Sequence, residues 1–370
     1  MDINLNELTL LMTIFCIKSE TMERGTIFQY LLKCWRILCQ WMMEFLRVGK
    51  DDPVKVYILL GQSNMLGMGN VEPDNKDGTL EHAVRQKKLY SYLVEDQSSS
   101  WTTSPRLRNV RVMGETMEVF HNEFLSVRGD TIGPEYGIGH YLEQSIDGPI
   151  LLLKSCIGNR SLGWDLLPPG SPRYEYDGKI YAGYKDSPSS WDKGSPKPDP
   201  IDWYAGKQYD VDIANAKQVL KQLDYFYPNA NKYQVEGFFW WQGDKDRYDE
   251  AYAALYERNL VRLIQQLRVT FQCPKAKFVM ATLGQTDLKT EAGTEKMIMD
   301  AMLAVDGNAG NYPEFVGNVS TVYSHPLSKG GSSNGHYNGN AETYMNVGEA
   351  MGKAMVELSI ASNNSSDDHK

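Results

Sequence analysis

The sequence predicts an α/β protein with a mostly parallel central sheet, and two observations carry that expectation. Between residues 51 and 360, compact and largely uncharged runs of strand length alternate with longer stretches whose apolar residues recur at helical spacing. The short runs are apolar along their length, as expected of strands covered on both faces. Such alternation implies right-handed crossovers and places ligands beyond the carboxyl ends of the strands.

Residues 1–50 differ in character from the rest of the chain. The start is acidic and the apolar run Leu10–Ile17 ends at Lys18, which makes a poor signal peptide because such a signal needs a cationic leading region. From Thr26 to Val48 the polar residues Lys33, Arg36, Gln40, Glu44 and Arg47 recur every three or four positions, so they form one face of a hydrophobic helix. That N-terminal helical extension either packs its apolar face on the body or a partner, or contacts a membrane surface through residues 26–48; Lys33 and Arg36 near its centre make a span costly.

In the body, strands are expected at Val54–Leu60, Pro149–Cys156, Val235–Trp241 and Lys277–Leu283, with a weaker one at Phe315–Tyr323. Helices are expected at Gly137–Gln144, Val211–Phe226, Arg247–Phe271, Thr294–Val305 and Asn340–Leu358. Residues 68–130 read as irregular with small β elements. Residues 168–208, rich in Pro, Gly, Tyr and Trp, read as an insertion, since a loop that long in a compact domain is usually functional or disordered. Residues 361–370, rich in Ser, Asn and Asp, read as a disordered tail.

Composition excludes several classes. With 38 Lys+Arg against 47 Asp+Glu the formal charge is -9, which argues against nucleic acid as a partner. A charged fraction of 23% and ordinary apolar content exclude a mainly disordered chain and a polytopic membrane protein. Cys16, Cys34, Cys39, Cys156 and Cys273 are odd in number and lack CxxC spacing, so neither a disulfide framework nor a zinc site is suggested.

The chemistry-bearing residues cluster at the ends of the predicted strands. The first strand runs into Gly61-Gln62-Ser63-Asn64-Met65, where Ser63 is either a helix N-cap or a nucleophile over the sheet edge. It is not the GxSxG elbow, because Met65 stands where that motif needs glycine. The second strand ends in Ile157-Gly158-Asn159-Arg160, where a glycine lets a backbone N–H approach a developing oxyanion. The third ends in Gln242-Gly243-Asp244-Lys245-Asp246, and His336 lies just before the last helix, where a general base is within reach of Ser63. Each piece alone has a structural explanation; their joint occurrence at one edge favours a site.

The GQSNM block and Trp241-Gln242-Gly243-Asp244 together resemble the SGNH hydrolases, in the branch that holds sialate O-acetylesterases and the acetylxylan esterases of carbohydrate esterase family six. The resemblance spans roughly residues 54–358. It implies a flavodoxin-like three-layer α/β/α sandwich and a serine esterase acting on an acetylated carbohydrate without metal or cofactor, secreted or at the cell surface. It further implies Ser63 as nucleophile, His336 as general base, Ser63, Gly158 and Gln242 as oxyanion donors, and Gln62, Asn159, Arg160 and Trp241 at the substrate. Three positions depart from the pattern: the acid three residues before the histidine is Ser333, the Glu after Gln-Gly is Asp244, and Trp241 replaces a common histidine. The imidazole therefore needs another orienter, which Asp244, a backbone carbonyl or Asp246 would supply. Without one, the chain reads instead as a glycan-binding protein of the same fold with weak or no turnover.

Two further features stay open on sequence alone. The insertion's Tyr174, Tyr176, Tyr181, Tyr184, Trp191, Trp203 and Tyr204 either stack on sugar rings or pack on one another. Arg160 and Lys154 either attract an acidic glycan or pair with Asp165 or Glu135.

Overall fold

The computed structural model describes residues 52–95 and 100–367, with side chains described as far as Ala361. The N-terminal helical extension expected over residues 1–50 lies outside the described residues.

The strands in chain order are β1 (Val54–Gly61), β2 (Gly69–Asn70), β3 (Leu107–Met113), β4 (Glu118–Phe124), β5 (Thr131–Ile132) and β6 (Ile150–Ser155). They continue with β7 (Tyr174–Tyr176), β8 (Lys179–Tyr181), β9 (Ser190–Asp192), β10 (Tyr233–Trp241), β11 (Lys277–Ala281) and β12 (Val319–Val322). The α-helices are α1 (Ser63–Leu66), α2 (Leu80–Arg85), α3 (Glu135–Ser145), α4 (Lys207–Lys221), α5 (Leu223–Phe226), α6 (Glu250–Ala254), α7 (Tyr256–Thr270), α8 (Thr294–Val305) and α9 (Ala341–Asp367).

Seven strands make the central sheet in the order β12-β11-β10-β1-β6-β3-β4. All neighbours run parallel except β4, which returns antiparallel along β3. The unbroken apolar character of β1 has a direct cause in this arrangement. Val54, Val56, Ile58 and Leu60 enter one apolar cluster with Ile213 and Val219 of α4, Leu260 and Leu263 of α7 and Met302 of α8. Tyr57 and Leu59 point the other way, into a cluster with Ile138 and Leu142 of α3 and Met345, Met351 and Met355 of α9. A strand with helices over both faces has no polar side to show, and each aliphatic side chain fully buried there contributes roughly 1.5–3 kcal/mol.

The structure departs from the sequence reading where local chemistry interrupts a pattern. Residues 68–130, expected to be irregular, supply two strands of the main sheet. In β3 the pattern is masked by Arg108, which is buried because its guanidinium donates to Asn122 O (2.7 Å) and Phe226 O (3.1 Å). The expected helix Arg247–Phe271 is broken: Asp249 accepts from the N–H groups of Ala251 and Tyr252 and so starts α6 afresh. The weak strand Phe315–Tyr323 shrinks to Val319–Val322, because Pro313 opens a 3-10 turn through Phe315. At the far end α9 runs on to Asp367, into the segment expected as a tail, since lengthening an existing helix costs far less than starting one. No helix among the described residues is long and apolar enough to cross a membrane.

Candidate active site

Ser63 is the first residue of α1, directly beyond the carboxyl end of β1. The turn is tight because the chain leaves β1 against its neighbour: a Cβ on Gly61 would lie 2.5 Å from Trp241 O, and φ there is +146°. Glycine is therefore required at residue 61. Ser63 is only 5% exposed, and its hydroxyl makes no hydrogen bond to a described residue. As first residue of a helix, its N–H has no intrahelical acceptor. Gly158, past the end of β6, faces the same spot, since a Cβ built on it would sit 3.6 Å from Ser63 Cβ.

His336 sits in a loop that sequence reasoning did not interpret. His336, Tyr337 and Asn338 take φ of 51°, 54° and 52°, three left-handed residues in succession. His and Asn tolerate that region, whereas Tyr337 bears a cost of roughly 1–2 kcal/mol. Burial of its ring, which contributes about 1.5–3 kcal/mol, offsets this. The Tyr337 ring is fully buried, 6.0 Å from Trp241 in a stacked orientation. Its hydroxyl accepts from Gly284 N–H at 3.2 Å and from Asn64 Nδ2 at 3.5 Å. Asn64 and Tyr337 are the chain neighbours of Ser63 and His336, so this contact draws the serine turn and the histidine loop together. The imidazole is half-buried and has no hydrogen bond to any described residue. The signal that marks Tyr337 in the sequence is a lone large ring in the polar stretch 330–340.

The departures at Ser333 and Asp244 turn out to be linked. Ser333 is buried, and its hydroxyl donates to Asp244 Oδ1, the carboxylate at the end of β10. Arg247 Nε donates to the same oxygen at 2.8 Å. The carboxylate thus stands against the position three residues before His336.

Gln242 was expected as an oxyanion donor, but its amide is engaged elsewhere. It is fully buried, and Nε2 lies 2.5 Å from Asp246 Oδ2, 2.8 Å from Arg160 O and 3.2 Å from Gln62 Oε1. Its Oε1 accepts from Tyr256 Oη at 2.8 Å. With two hydrogens already shared among three acceptors, the side chain braces the site from below. Asp246, beneath it, also accepts from Leu162 N–H at 2.9 Å and Gly163 N–H at 2.7 Å.

Two of the residues expected at the substrate are likewise internal. Gln62 is buried, its Oε1 taking the Gln242 amide and Lys245 N–H. Trp241 is fully buried on the α9 face of the sheet, with Nε1 donating to Thr282 O at 3.1 Å. Asn159 and Arg160 do lie at the surface of the site. Arg160 stacks over Trp203 at 5.0 Å, donates through Nε to Gln208 Oε1 at 3.2 Å, and has no carboxylate partner among the described residues. Lys154 is buried and paired with Glu135 at 2.6 Å, so it is closed to a ligand.

The aromatic insertion packs mostly on itself. Tyr174 and Tyr181 stack at 5.0 Å on the small sheet β7-β8-β9, and the buried Trp191 lies between Arg173 and Lys197. Tyr184 and Tyr204 both donate to Asp210. Trp203, beside Arg160, is the insertion's link to the strand ends.

The carboxyl edge of the parallel sheet thus carries an unbonded serine, a histidine loop tied to the serine turn, and a carboxylate. Residues 186–357 match the family described as carbohydrate esterase, sialic acid-specific acetylesterase. The matched stretch includes Gln242, Asp244 and His336, whereas Ser63 and Gly158 precede it. Among solved structures the chain is similar to a protein from Arabidopsis thaliana, AT4G34215, with 16% identity, covering 82% of this chain and 98% of that one, at a TM-score of 0.47. It is also similar to XAC1771, a carbohydrate acetylesterase from Xanthomonas citri, with 12% identity, 83% and 57% coverage and a TM-score of 0.47. For NanS the identity is 15%, the coverage 74% and 78%, and the TM-score 0.39. No curated protein matches the chain.

Proposed function

We propose that the protein is a serine esterase that removes O-acetyl groups from a carbohydrate, with residues 51–360 as the esterase domain and 168–208 as its insertion. The observation that carries this reading is the pair of contacts tying the histidine loop to the two strand ends, Asn64 with Tyr337 and Asp244 with Ser333. The apolar clusters on opposite faces of the sheet support a three-layer, flavodoxin-like SGNH arrangement.

In this reading Ser63 Oγ attacks the acetyl carbonyl carbon while His336 accepts the serine proton. The N–H groups of Ser63 and Gly158 stabilise the oxyanion, a contribution worth roughly 10²–10³ in rate per donor. Collapse expels the sugar hydroxyl, which takes the proton back from His336, and water then repeats the sequence on the acetyl-enzyme. Asp244, bonded to Ser333, supplies the negative charge that balances the protonated imidazole. Ser63→Ala is expected to abolish acetate release from a small aryl acetate while circular dichroism stays unchanged; an unaltered rate rejects the assignment. Activity is expected to fall on the acid side, because only the neutral imidazole accepts the proton.

One observation favours a second reading, a glycan-binding protein with little turnover: Asp244 is held by Arg247 and Ser333, while His336 is unbonded. Sugar binding that survives Ser63→Ala, with no hydrolysis of any acyl ester by the unaltered protein, would establish it.

A further inference from the structure

We infer that Asp246 is a positioning residue for ester hydrolysis: together with Gln242 it clasps the loop 158–163 at three backbone points and so sets where the Gly158 N–H stands relative to Ser63. This rests on the esterase reading above. The three points are Arg160 C=O, which accepts from Gln242 Nε2 at 2.8 Å, and the Leu162 and Gly163 N–H groups, which donate to the two Asp246 oxygens at 2.9 and 2.7 Å. Gln242 Nε2 in turn donates to Asp246 Oδ2 at 2.5 Å and reaches Gln62 Oε1 at 3.2 Å, next to the nucleophile. One buried amide therefore touches the serine turn, the oxyanion loop and the carboxylate at once.

Asp246 is fully buried, touches no substrate space, and has no role in the chemistry described above. What surrounds it is a set of donors: two backbone N–H groups and one amide N–H. Only an ionised carboxylate accepts from all three without placing a hydroxyl hydrogen among them. Burial nevertheless pushes its carboxyl up to about 7, with the three donors opposing that rise and the nearby Asp165 adding to it. The other titratable groups facing it are the hydroxyls of Tyr256 on α7, Tyr252 on α6 and Tyr174 on β7. Because the folded carboxyl binds its proton more tightly than a solvated one, the clasp loosens as pH falls through neutrality. Protonation of Asp246 then adds to the loss of activity on the acid side.

The test compares kcat and KM for a small aryl acetate from about pH 5 to 9 in the unaltered protein, Ser63→Ala and Asp246→Asn. Asp246→Asn is expected to lower kcat by about 10- to 100-fold, less than the loss of a whole oxyanion donor, with KM within about two-fold. The acid limb of log(kcat/KM) is expected to be steeper in the unaltered protein than in Asp246→Asn. A wild-type kcat in Asp246→Asn, or the same acid limb in both proteins, overturns the inference. Should Asp246→Asn fail to fold, Gln242→Met serves instead: a loss in kcat at constant KM supports the clasp, and an unchanged kcat overturns it. Activity retained in Ser63→Ala brings down the esterase reading itself, whereas an inactive Ser63→Ala beside an unaffected Asp246→Asn brings down the clasp alone.

Discussion

Ser333 presents a hydroxyl to Asp244, so a carboxylate from the end of β10 meets the position three residues before the histidine. If the two positions share one task, their side chains are exchangeable. Ser333→Asp alone sets two carboxylates in contact, which keeps one of them protonated, and Asp244→Ser alone removes the acid. Each single change is expected to lower kcat, the second by as much as about 10⁴, while the double exchange recovers most of the loss. Strictly additive losses in kcat for an aryl acetate would show that the two residues act separately. At this scale the site was only partly legible. Ser63, Gly158 and Asp244 are polar or glycine residues just past strand ends and His336 lies just before the last helix, so sequence position itself indicates their placement. Gln62, Gln242 and Trp241 occupy equally suggestive positions, yet their side chains turn inward, and only packing decides that.

The element that most shapes the site is the left-handed run His336–Asn338, which no periodicity announces. It is held by the Tyr337 hydroxyl together with main-chain bonds from Tyr337 N–H to Ser332 O and from Asn340 N–H to Tyr337 O. Tyr337→Phe keeps the ring but leaves the Gly284 N–H unpaired, which costs roughly 1–3 kcal/mol. The expected result is a lower Tm together with a reduced kcat, since the histidine loop loses its link to Asn64; an unchanged kcat would show that the ring alone positions the loop. Helix ends show why element boundaries resisted the sequence reading. The break before α6 is a hydrogen-bonding event at Asp249, invisible to a pattern of apolar spacing that continues across it. The strands β10 and β11, apolar on both faces, were legible for the opposite reason, because nothing competes with burial there.

At the scale of the whole molecule, stability and pH are coupled through buried acids. Asp212 on α4 is fully buried; Gln208 donates to one of its oxygens and the other has no partner among the described residues. Burial raises its carboxyl well above the usual range. A folded-state rise means that its contribution to stability is complete below the unfolded carboxyl range and is lost as pH climbs through the raised value. Asp212→Asn is therefore expected to raise Tm at pH 8, by about 2–4 °C for each kcal/mol relieved, and the advantage should shrink towards pH 5. A Tm difference that does not vary with pH would contradict this. The architecture at this scale was the most legible part, because a parallel sheet buried on both faces writes unbroken apolar runs into the sequence. Only β3 and β4 escaped, the first through its satisfied arginine and the second through its exposed edge position.

The place of β1 in the sheet has a consequence for the order of events during synthesis. One flank of β1 is completed by β6, but the other waits for β10, which begins at Tyr233. A nascent polypeptide must therefore shelter a very apolar strand until β10 emerges, and the segments that carry Asp244 and His336 follow later still.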